Sequence, residues 1–164
     1  MSYPAPAFHQ LDLFLVNFRH WPDHPGDNTP TQALYRNDGS GHFEDVSRES
    51  GLDIEEYGMG VAVGDYDADG WVDLFLSSLK KNRLFRNQQG RFHEVTDQAG
   101  VGGRQDLWST GAAFVDYDRD GDLDLFLVNA DGPNELLNNN LDGTFRPIAK
   151  QAGIAGDGRP SRSV

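Results

Sequence analysis

Cysteine is absent from the chain, which excludes disulfides, thiolate catalysis and zinc sites built on cysteine. The first residues, MSYPAPAFHQ, lack the basic and apolar regions of a signal peptide. No run approaches the roughly 18 apolar residues that a membrane-spanning helix needs. Basic residues are also few, 14 against 26 acidic ones, and the net charge of −12 repels phosphate backbones and anionic lipid. Nucleic-acid partners and membrane insertion are therefore not expected.

The acidic residues are concentrated in two short segments. Of the 26 carboxylates, nine lie in residues 65–73 and 116–124. Like charges at this density repel one another unless something neutralises them, so the clustering indicates a bound cation. The length of 164 residues suits a single domain with its own hydrophobic core.

A short apolar motif repeats along the chain and predicts a strand at each occurrence. It reads DLFLVN at 12–17, DLFLSS at 73–78 and DLFLVN at 124–129. The motif is nearly continuous in apolar residues, which is expected when both faces of a sheet are covered. Further strands are predicted before the second and third copies, in GVAVGDY (60–66) and GAAFVDY (111–117).

Each motif is followed by two short segments around a turn rich in Asn, Asp and Gly, which predicts a β-hairpin. The hairpins are ALYRNDGSGHFEDVS (33–47), RLFRNQQGRFHEVT (83–96) and ELLNNNLDGTFRPIA (135–149). Each unit then ends at a short turn with glycine as its third residue, ESGL, QAGV or QAGI.

These units predict an all-β fold, a β-propeller-type array of four-stranded antiparallel blades. A β-sandwich of short strands is the alternative, but it gives no reason for the unit to repeat with its loop chemistry intact. We expect one domain over residues 1–164, with two complete blades and one partial blade. The predicted bounds are a partial blade at about 11–50, blades at about 58–100 and 109–154, and a tail at 155–164.

The acidic segments share the pattern D-x-D-x-D-G-x-x-D. Oxygen ligands at positions 1, 3, 5 and 9 suit Ca²⁺, and a backbone carbonyl at position 7 would explain why Trp71 and Asp122 both occur there. Gly70 and Gly121 at position 6 permit a sharp turn. We therefore expect two Ca²⁺ ions per chain, each with a structural role.

Three other interpretations fit these segments less well. An EF-hand needs a bidentate Glu at position 12 and flanking helices, whereas Leu76 and Leu127 stand there within predicted strands. Mg²⁺ prefers to keep water and stricter octahedral geometry. Plain turn chemistry of Asp and Gly would explain one segment, but not two at equivalent places in a repeat.

GMGVAVGDYDADGWVDLFL and GAAFVDYDRDGDLDLFLVN, each with its hairpin, resemble the FG-GAP/VCBS repeat family, most of all its ASPIC/UnbV-type and cartilage acidic protein-like branch. The resemblance covers about residues 11–154. It implies blades like those of integrin α-subunit propellers, with calcium between the first two strands of a blade. The ligands implied are Asp65, Asp67, Asp69 and Asp73, and Asp116, Asp118, Asp120 and Asp124. Members are mostly extracellular or surface modules for binding or adhesion, so we expect an extracellular, periplasmic or cell-surface location.

The first unit begins at its DLFL strand, without an inner strand or an aspartate segment before it. Because propellers usually need 4–8 blades and an open arc exposes strand edges, we expect closure by other copies or by more chain. A head-to-tail homo-oligomer is favoured, with a dimer as the simplest closure, and a section of a longer propeller is the alternative.

The connection after the first DLFL strand carries an insertion, RHWPDHPGDNTP (19–30), and is predicted to lie on the face opposite the calcium loops. This candidate ligand face suits a protein or glycan partner because tryptophan offers a stacking surface and charges offer orientation. An ordinary polar loop is the other interpretation, and a transition-metal site at His20, Asp23 and His24 lacks a diagnostic spacing. The candidate face comprises Arg19, His20, Trp21, Asp23, His24, Glu56, Tyr57, Arg104, Asp106 and Trp108.

Nothing in the sequence converges on catalysis, since no nucleophile stands beside a base and no glycine loop cradles a phosphate. We therefore expect a protein that is not an enzyme. The alternative is a lectin, or a fragment or subunit of a carbohydrate-active or redox enzyme, with its site on the candidate ligand face. Acids for such a site would be Glu55, Glu56 or Asp106.

Overall fold

A computed structural model of the chain describes residues 11–20, 30–104 and 107–154. They form three antiparallel sheets, of which one has three strands and two have four. The prediction of an all-β fold built from β-propeller-type blades is thereby confirmed. In the described ranges, no helix is long and apolar enough to cross a membrane.

The strands follow one another within each sheet, so every sheet is a simple meander. The first sheet contains β1 (Leu13–Leu15), β2 (Ala33–Asn37) and β3 (Phe43–Asp45). The second contains β4 (Gly58–Gly64), β5 (Asp73–Ser78), β6 (Arg83–Gln88) and β7 (Arg91–Glu94). The third contains β8 (Ser109–Val115), β9 (Asp124–Asn129), β10 (Glu135–Asn139) and β11 (Phe145–Pro147).

One-turn helices α1 (Ser47–Ser50) and α2 (Thr96–Ala99) follow the first two hairpins. Each ends at a glycine in the left-handed region, Gly51 at φ 84° and Gly100 at φ 73°. Glycine is the residue that ends a helix in this conformation without a Cβ penalty, which explains the glycine-ended turns seen in the sequence.

The apolar core lies between neighbouring sheets. In the second sheet, the DLFL strand β5 contributes side chains to the packing on both of its faces. Leu74 and Leu76 pack with Leu34 of the first sheet, whereas Phe75, between them in the strand, packs with Leu125 of the third. Successive side chains of a strand point to opposite faces, so a strand between two sheets must be apolar at every position. Burying each of these side chains stabilises the fold by roughly 1.5–3 kcal/mol.

The inner strands β4 and β8 lie against each other and carry mostly small residues. A Cβ built on Gly60 would stand only 3.5 Å from the Gly111 Cα and 3.2 Å from Ser77 Oγ. Glycine at this place therefore lets the second and third sheets approach closely along their inner strands.

Candidate metal centres in two aspartate loops

The first aspartate loop, residues 65–73, joins β4 to β5 and brings three carboxylates together. Asp65, Asp67 and Asp73 each place one oxygen within 4.8 Å of the others. Backbone amides hold the loop in shape, since Gly70 N donates to Asp65 Oδ2 at 2.9 Å and Trp71 N donates to Asp69 Oδ1 at 2.9 Å. The loop thus presents converging carboxylates at positions 1, 3 and 9 of the motif.

Asp73, at position 9, is fully buried and anchored by backbone donors. Its Oδ1 accepts a hydrogen bond from Asn87 N at 2.7 Å, and its Oδ2 accepts one from Tyr66 N at 3.1 Å. Burial raises the pKa of Asp73 to about 7, because removal from water penalises the charged form. A bound cation would restore the preference for the carboxylate.

Asp69, at position 5, faces an arginine from the neighbouring hairpin. Arg86 Nη2 donates to Asp69 Oδ2 at 3.0 Å, and Arg86 Nε lies 2.6 Å from Asp67 Oδ2. The hydrogen bond to Asp69 raises the pKa of Arg86, and burial raises the pKa of Asp67. Part of the negative charge of the first loop is therefore balanced within the protein.

The second aspartate loop, residues 116–124, joins β8 to β9 and repeats the arrangement. Asp116, Asp118 and Asp124 place oxygens within 4.8 Å of one another, and so do Asp118, Asp120 and Asp122. The hydrogen bond to Asp120 raises the pKa of Asp122 to about 6. Asp124 occupies the place of Asp73 and accepts a hydrogen bond from Asn139 N at 2.9 Å.

The two loops share their backbone path. Gly70 and Gly121, at position 6, have φ of 90° and 97°, as the predicted sharp turn requires. At position 4, Ala68 and Arg119 also have positive φ, of 55° and 65°. A non-glycine residue there costs roughly 1–2 kcal/mol, so both loops carry the same local strain.

The donor chemistry of the loops fits Ca²⁺. All side-chain ligand candidates are carboxylate oxygens, which hard cations prefer, and the loop geometry supplies several from one short segment. In the second loop, Asp116 Oδ1 and Asp122 Oδ1 are buried without a hydrogen-bond donor. Buried acceptors are normally satisfied, so these atoms suit a cation.

Three asparagines outside the predicted ligand set hold the aspartate at the start of each DLFL strand in place. Asn87 N donates to Asp73, and its Nδ2 donates to the carbonyl oxygen of Val72 at 2.9 Å. Asn139 occupies the same place in the third sheet, and Asn37 in the first. The signal was available, because an asparagine stands at the same point of each aligned hairpin.

Asn139 also links the two loops. Its Nδ2 donates to the carbonyl oxygen of Tyr66 at 2.7 Å and to that of Leu123 at 3.1 Å. Tyr66 itself is buried between the sheets, with its ring 6.4 Å from that of Phe114 and 5.7 Å from that of Phe145. The first loop is therefore covered by the third sheet.

The candidate ligand face is described in part. Arg19 lies over the ring of Tyr57, 5.2 Å from its centroid, and the Tyr57 hydroxyl donates to the carbonyl oxygen of His20 at 3.2 Å. Tyr57 is buried beneath these residues, whereas Trp108 is exposed in the loop before β8 and donates its backbone amide to Asp131. Arg104 precedes this loop and lines a pocket beside Glu135. The remaining residues of the prediction, Trp21, Asp23, His24 and Asp106, lie outside the described residues.

Glu56, a possible acid of the alternative enzyme, serves a structural purpose. Its Oε1 accepts a hydrogen bond from Tyr57 N at 3.0 Å, and its Oε2 pairs with Arg83 Nε at 3.0 Å. Arg83 Nη1 also pairs with Glu94 Oε2 at 2.6 Å. Arg83 therefore links the loop before β4, which carries Glu56, to the outer strand β7, which carries Glu94.

Comparison with known proteins gives the same repeat. FG-GAP-like repeats match residues 10–76, 65–127 and 116–164. Cartilage acidic protein 1 of Xenopus tropicalis is 33% identical over 116 residues, which are 66% of this chain and 18% of that protein. The Mus musculus protein of the same name is 34% identical over 96 residues, 57% of this chain and 15% of that protein. The chain spans less than a fifth of the length of these relatives.

The family matches overlap where the structure places the aspartate loops. The second match begins at Asp65 and the third at Asp116, each the first residue of a loop. Sheets, loops and sequence comparison agree, and the chain belongs to the family of FG-GAP-like repeat proteins.

Proposed function

We propose that the chain is a non-catalytic section of a β-propeller that Ca²⁺ stabilises and that presents a surface for a protein or glycan. The convergence of three carboxylates within 4.8 Å in each loop carries this proposal. Each loop connects two adjacent strands, so an ion there would tie the inner strand to the next one. Two ions per chain would be held by Asp65, Asp67, Asp69, Asp73 and the Trp71 carbonyl, and by Asp116, Asp118, Asp120, Asp124 and the Asp122 carbonyl.

The stabilising effect follows from linkage. An ion that binds the folded chain and not the unfolded one adds about 2.7 kcal/mol when its concentration is a hundred times the dissociation constant. Without the ion, the carboxylates repel one another, and Asp73 resists ionisation in its buried place. Calcium would therefore act on the fold itself, whatever the surface recognises.

Thermal unfolding in calcium and in EDTA tests the proposal. We expect a higher midpoint in calcium, and a loss of that difference in the double variant Asp65→Asn, Asp116→Asn, because an amide is a weaker ligand than a carboxylate. The control for each of the two substitutions is Asp53→Asn, which makes the same change at an exposed site away from both loops. An unchanged midpoint in calcium-free buffer would contradict the calcium role.

The face with Arg19, Tyr57 and Trp108 supports a binding role. Phe18 meets Tyr57 edge-on at 5.2 Å between ring centroids, and Arg19 lies over the same tyrosine. Tyr57 is buried and supports these two residues from below, whereas Phe18 and Trp108 are exposed. The exposed rings and the guanidinium group suit stacking with a sugar ring or contact with a protein side chain. A glycan array and capture by an extracellular or cell-surface protein panel would test it, and no retained ligand in either would contradict it.

Assembly completes the proposal. Three sheets make an open arc, so the chain would close a ring head-to-tail with a second copy or serve as a section of a longer propeller. Sedimentation in calcium distinguishes these arrangements: a dimer supports closure by copies, and a monomer supports the longer propeller.

A further inference from the structure

A cleft lies between the second and third sheets, beside the first aspartate loop. It has a volume of ≈ 460 Å³. Strands β6 and β7 and helix α2 form one wall, the turn between β10 and β11 forms the other, and buried Tyr66 lies at its base. Cavities of this size are typical of small-molecule sites. Two four-stranded sheets thus leave room for a ligand between them.

The side chains that line the cleft are mostly polar and offer both donors and acceptors. Gln88 and His93 come from the hairpin of the second sheet, Gln98 from α2 and Asp142 from the opposite turn. Among the described residues, the imidazole of His93 and the amides of Gln88 and Gln98 have no hydrogen-bond partner. Leu141, which is 63% exposed, adds an apolar contact. The cleft therefore suits a ligand that carries both hydroxyl groups and an apolar face.

The second sheet differs from the other two in one cross-strand pair. The pairs at this place are Arg36–Glu44, Arg86–His93 and Asn138–Arg146. In the first sheet Arg36 Nη2 donates to Glu44 Oε2 at 2.8 Å, and in the third Arg146 Nη2 donates to Asn138 Oδ1 at 2.6 Å. Arg86 bonds to the first aspartate loop instead. The histidine opposite Arg86 is therefore left to line the cleft.

The one-turn helices show the same difference. Glu49 and Gln98 are the third residues of α1 and α2. Glu49 Oε1 accepts a hydrogen bond from Arg36 Nη1 at 3.3 Å, so that Arg36 is held between two glutamates. The second sheet has His93 and Gln98 where the first sheet has these two carboxylates. Ion pairs therefore occupy this place in the first sheet, whereas polar groups without an internal partner surround it in the second.

A second cavity continues from the cleft along the same hairpin. It also measures ≈ 460 Å³, and Gln88 and His93 line both cavities. Half-buried Trp71 and exposed Arg91 belong to the second one. The second aspartate loop has Asp122 at the place of Trp71, so the indole is a feature of the first loop alone. A ligand longer than one ring can therefore extend from the cleft to the tryptophan.

The charges around the two cavities disfavour an anion. Carboxylates of Asp67, Asp69 and Asp142 line them, and Arg86 is already paired with the first two. Arg91 adds one further guanidinium group, while the net charge of −12 repels anions at longer range. Saccharide hydroxyls bond to donors and acceptors alike, and the apolar face of a sugar ring stacks on an indole. The lining therefore favours a neutral saccharide.

We propose that the cleft between the second and third sheets binds a neutral saccharide of at least two units. One ring lies between the sheets, bonded to Gln88, His93 and Gln98, and the next ring stacks on Trp71. The site goes beyond the proposed function, because it needs no calcium and lies beside the first aspartate loop, away from the candidate ligand face.

NMR titration of the ¹⁵N-labelled chain in calcium tests the proposal. The probes are maltose, cellobiose, lactose and N,N′-diacetylchitobiose, with a sulfated chondroitin disaccharide as the acidic comparison. We expect at least one neutral disaccharide to bind with a Kd of about 1 mM. It should shift the amide signals of Gln88, His93, Gln98 and Gly143 and the indole signal of Trp71.

Variants of the chain locate the bound saccharide. His93→Ala should weaken binding about tenfold, whereas His42→Ala, the same change at an exposed site in the first sheet, should not alter it. The double variant His93→Glu, Gln98→Glu should abolish binding, because it places the two carboxylates of the first sheet around Arg86. Thermal unfolding of each variant checks that its fold is retained.

The tryptophan decides the length of the ligand. Trp71→Ala should weaken binding of the disaccharide about tenfold and leave binding of the corresponding methyl monosaccharide unchanged. Equal losses for the two ligands would overturn the two-ring site.

Three results would overturn the cleft as a whole. The first is the absence of shifts with all four neutral disaccharides, and the second is binding of the sulfated disaccharide alone. The third is binding that Trp108→Ala removes and His93→Ala does not, because the saccharide would then lie on the candidate ligand face. Failure of the proposed calcium role is read separately, from an unfolding midpoint that EDTA leaves unchanged while the cleft still binds its saccharide.

Discussion

The two aspartate loops share a motif and a backbone path, yet the protein surrounds them differently. The first loop is covered: Tyr66 is 3% exposed beneath the third sheet, and Arg86 pairs with two of its carboxylates. The second is open: Tyr117, at the same position, is 40% exposed, and Asn138 stands in the place of the arginine. The motif alone therefore sets the fold of a loop, whereas its neighbours set how its charge is balanced.

The largest difference is expected between the two tyrosines. Tyr66→Ala would leave a cavity among Phe114 and Phe145 and should cost about 3–5 kcal/mol of unfolding free energy, while Tyr117→Ala should cost less than about 1 kcal/mol. Urea unfolding in calcium measures both, and Tyr66→Phe is the control for the hydroxyl group. Equal losses from the two alanine variants would mean that the third sheet does not cover the first loop.

The next difference concerns Arg86. Arg86→Gln removes the internal cation of the first loop and should lower stability by roughly 1 kcal/mol in EDTA, since exposed or half-exposed ion pairs contribute little more. If the loop binds calcium as proposed, the loss in calcium should shrink, because the ion would neutralise the same carboxylates. Thermal unfolding in both buffers checks this, with Arg91→Gln as an exposed control. A loss of equal size in both buffers would show that the arginine and a bound cation do not act on the same carboxylates.

The smallest effects should be the same in both loops. Ala68→Gly and Arg119→Gly remove the backbone strain of a non-glycine residue at positive φ, but they also raise the conformational entropy of the unfolded chain. Each should therefore raise the free energy of unfolding by only about 0–1 kcal/mol. Gly70→Ala should lower it by about 1 kcal/mol, because a Cβ there meets no other atom and only the backbone angle is penalised. Opposite signs for Ala68→Gly and Arg119→Gly in unfolding experiments would show that the loops do not share one backbone path.

Much of the fold could be predicted because the repeat gives the same information more than once. The identical DLFL motifs predict strands, and their lack of alternation predicts cover on both faces. Phe75 between Leu74 and Leu76 confirms this for β5. In β1 the prediction is wrong, because Leu13 and Leu15 are exposed. The carboxylates at positions 1, 3 and 9 could be named from spacing alone. That they converge in both loops follows from one turn conformation, which the glycine at position 6 permits.

The surroundings of the loops could not be predicted in the same way. Arg86 is visible in the sequence, but its contact with Asp67 and Asp69 depends on the register of β6 against β5. The support of Asp73 by Asn87 depends on the same register. Tyr66 and Tyr117 are the same residue in the same motif, so only the presence of a following sheet distinguishes their burial.

The glycines of the inner strands have a consequence for the geometry of a closed ring. Where Gly60 meets Gly111, the second and third sheets are nearly in backbone contact, while farther out Phe75 and Leu125 hold them apart. Each sheet with its packing layer is therefore a wedge, narrow at the inner strand and broad toward the rim. The taper of that wedge fixes the angle per blade, and hence the number of blades in a full circle. Larger side chains at these glycines would widen the narrow end and favour a ring with more blades.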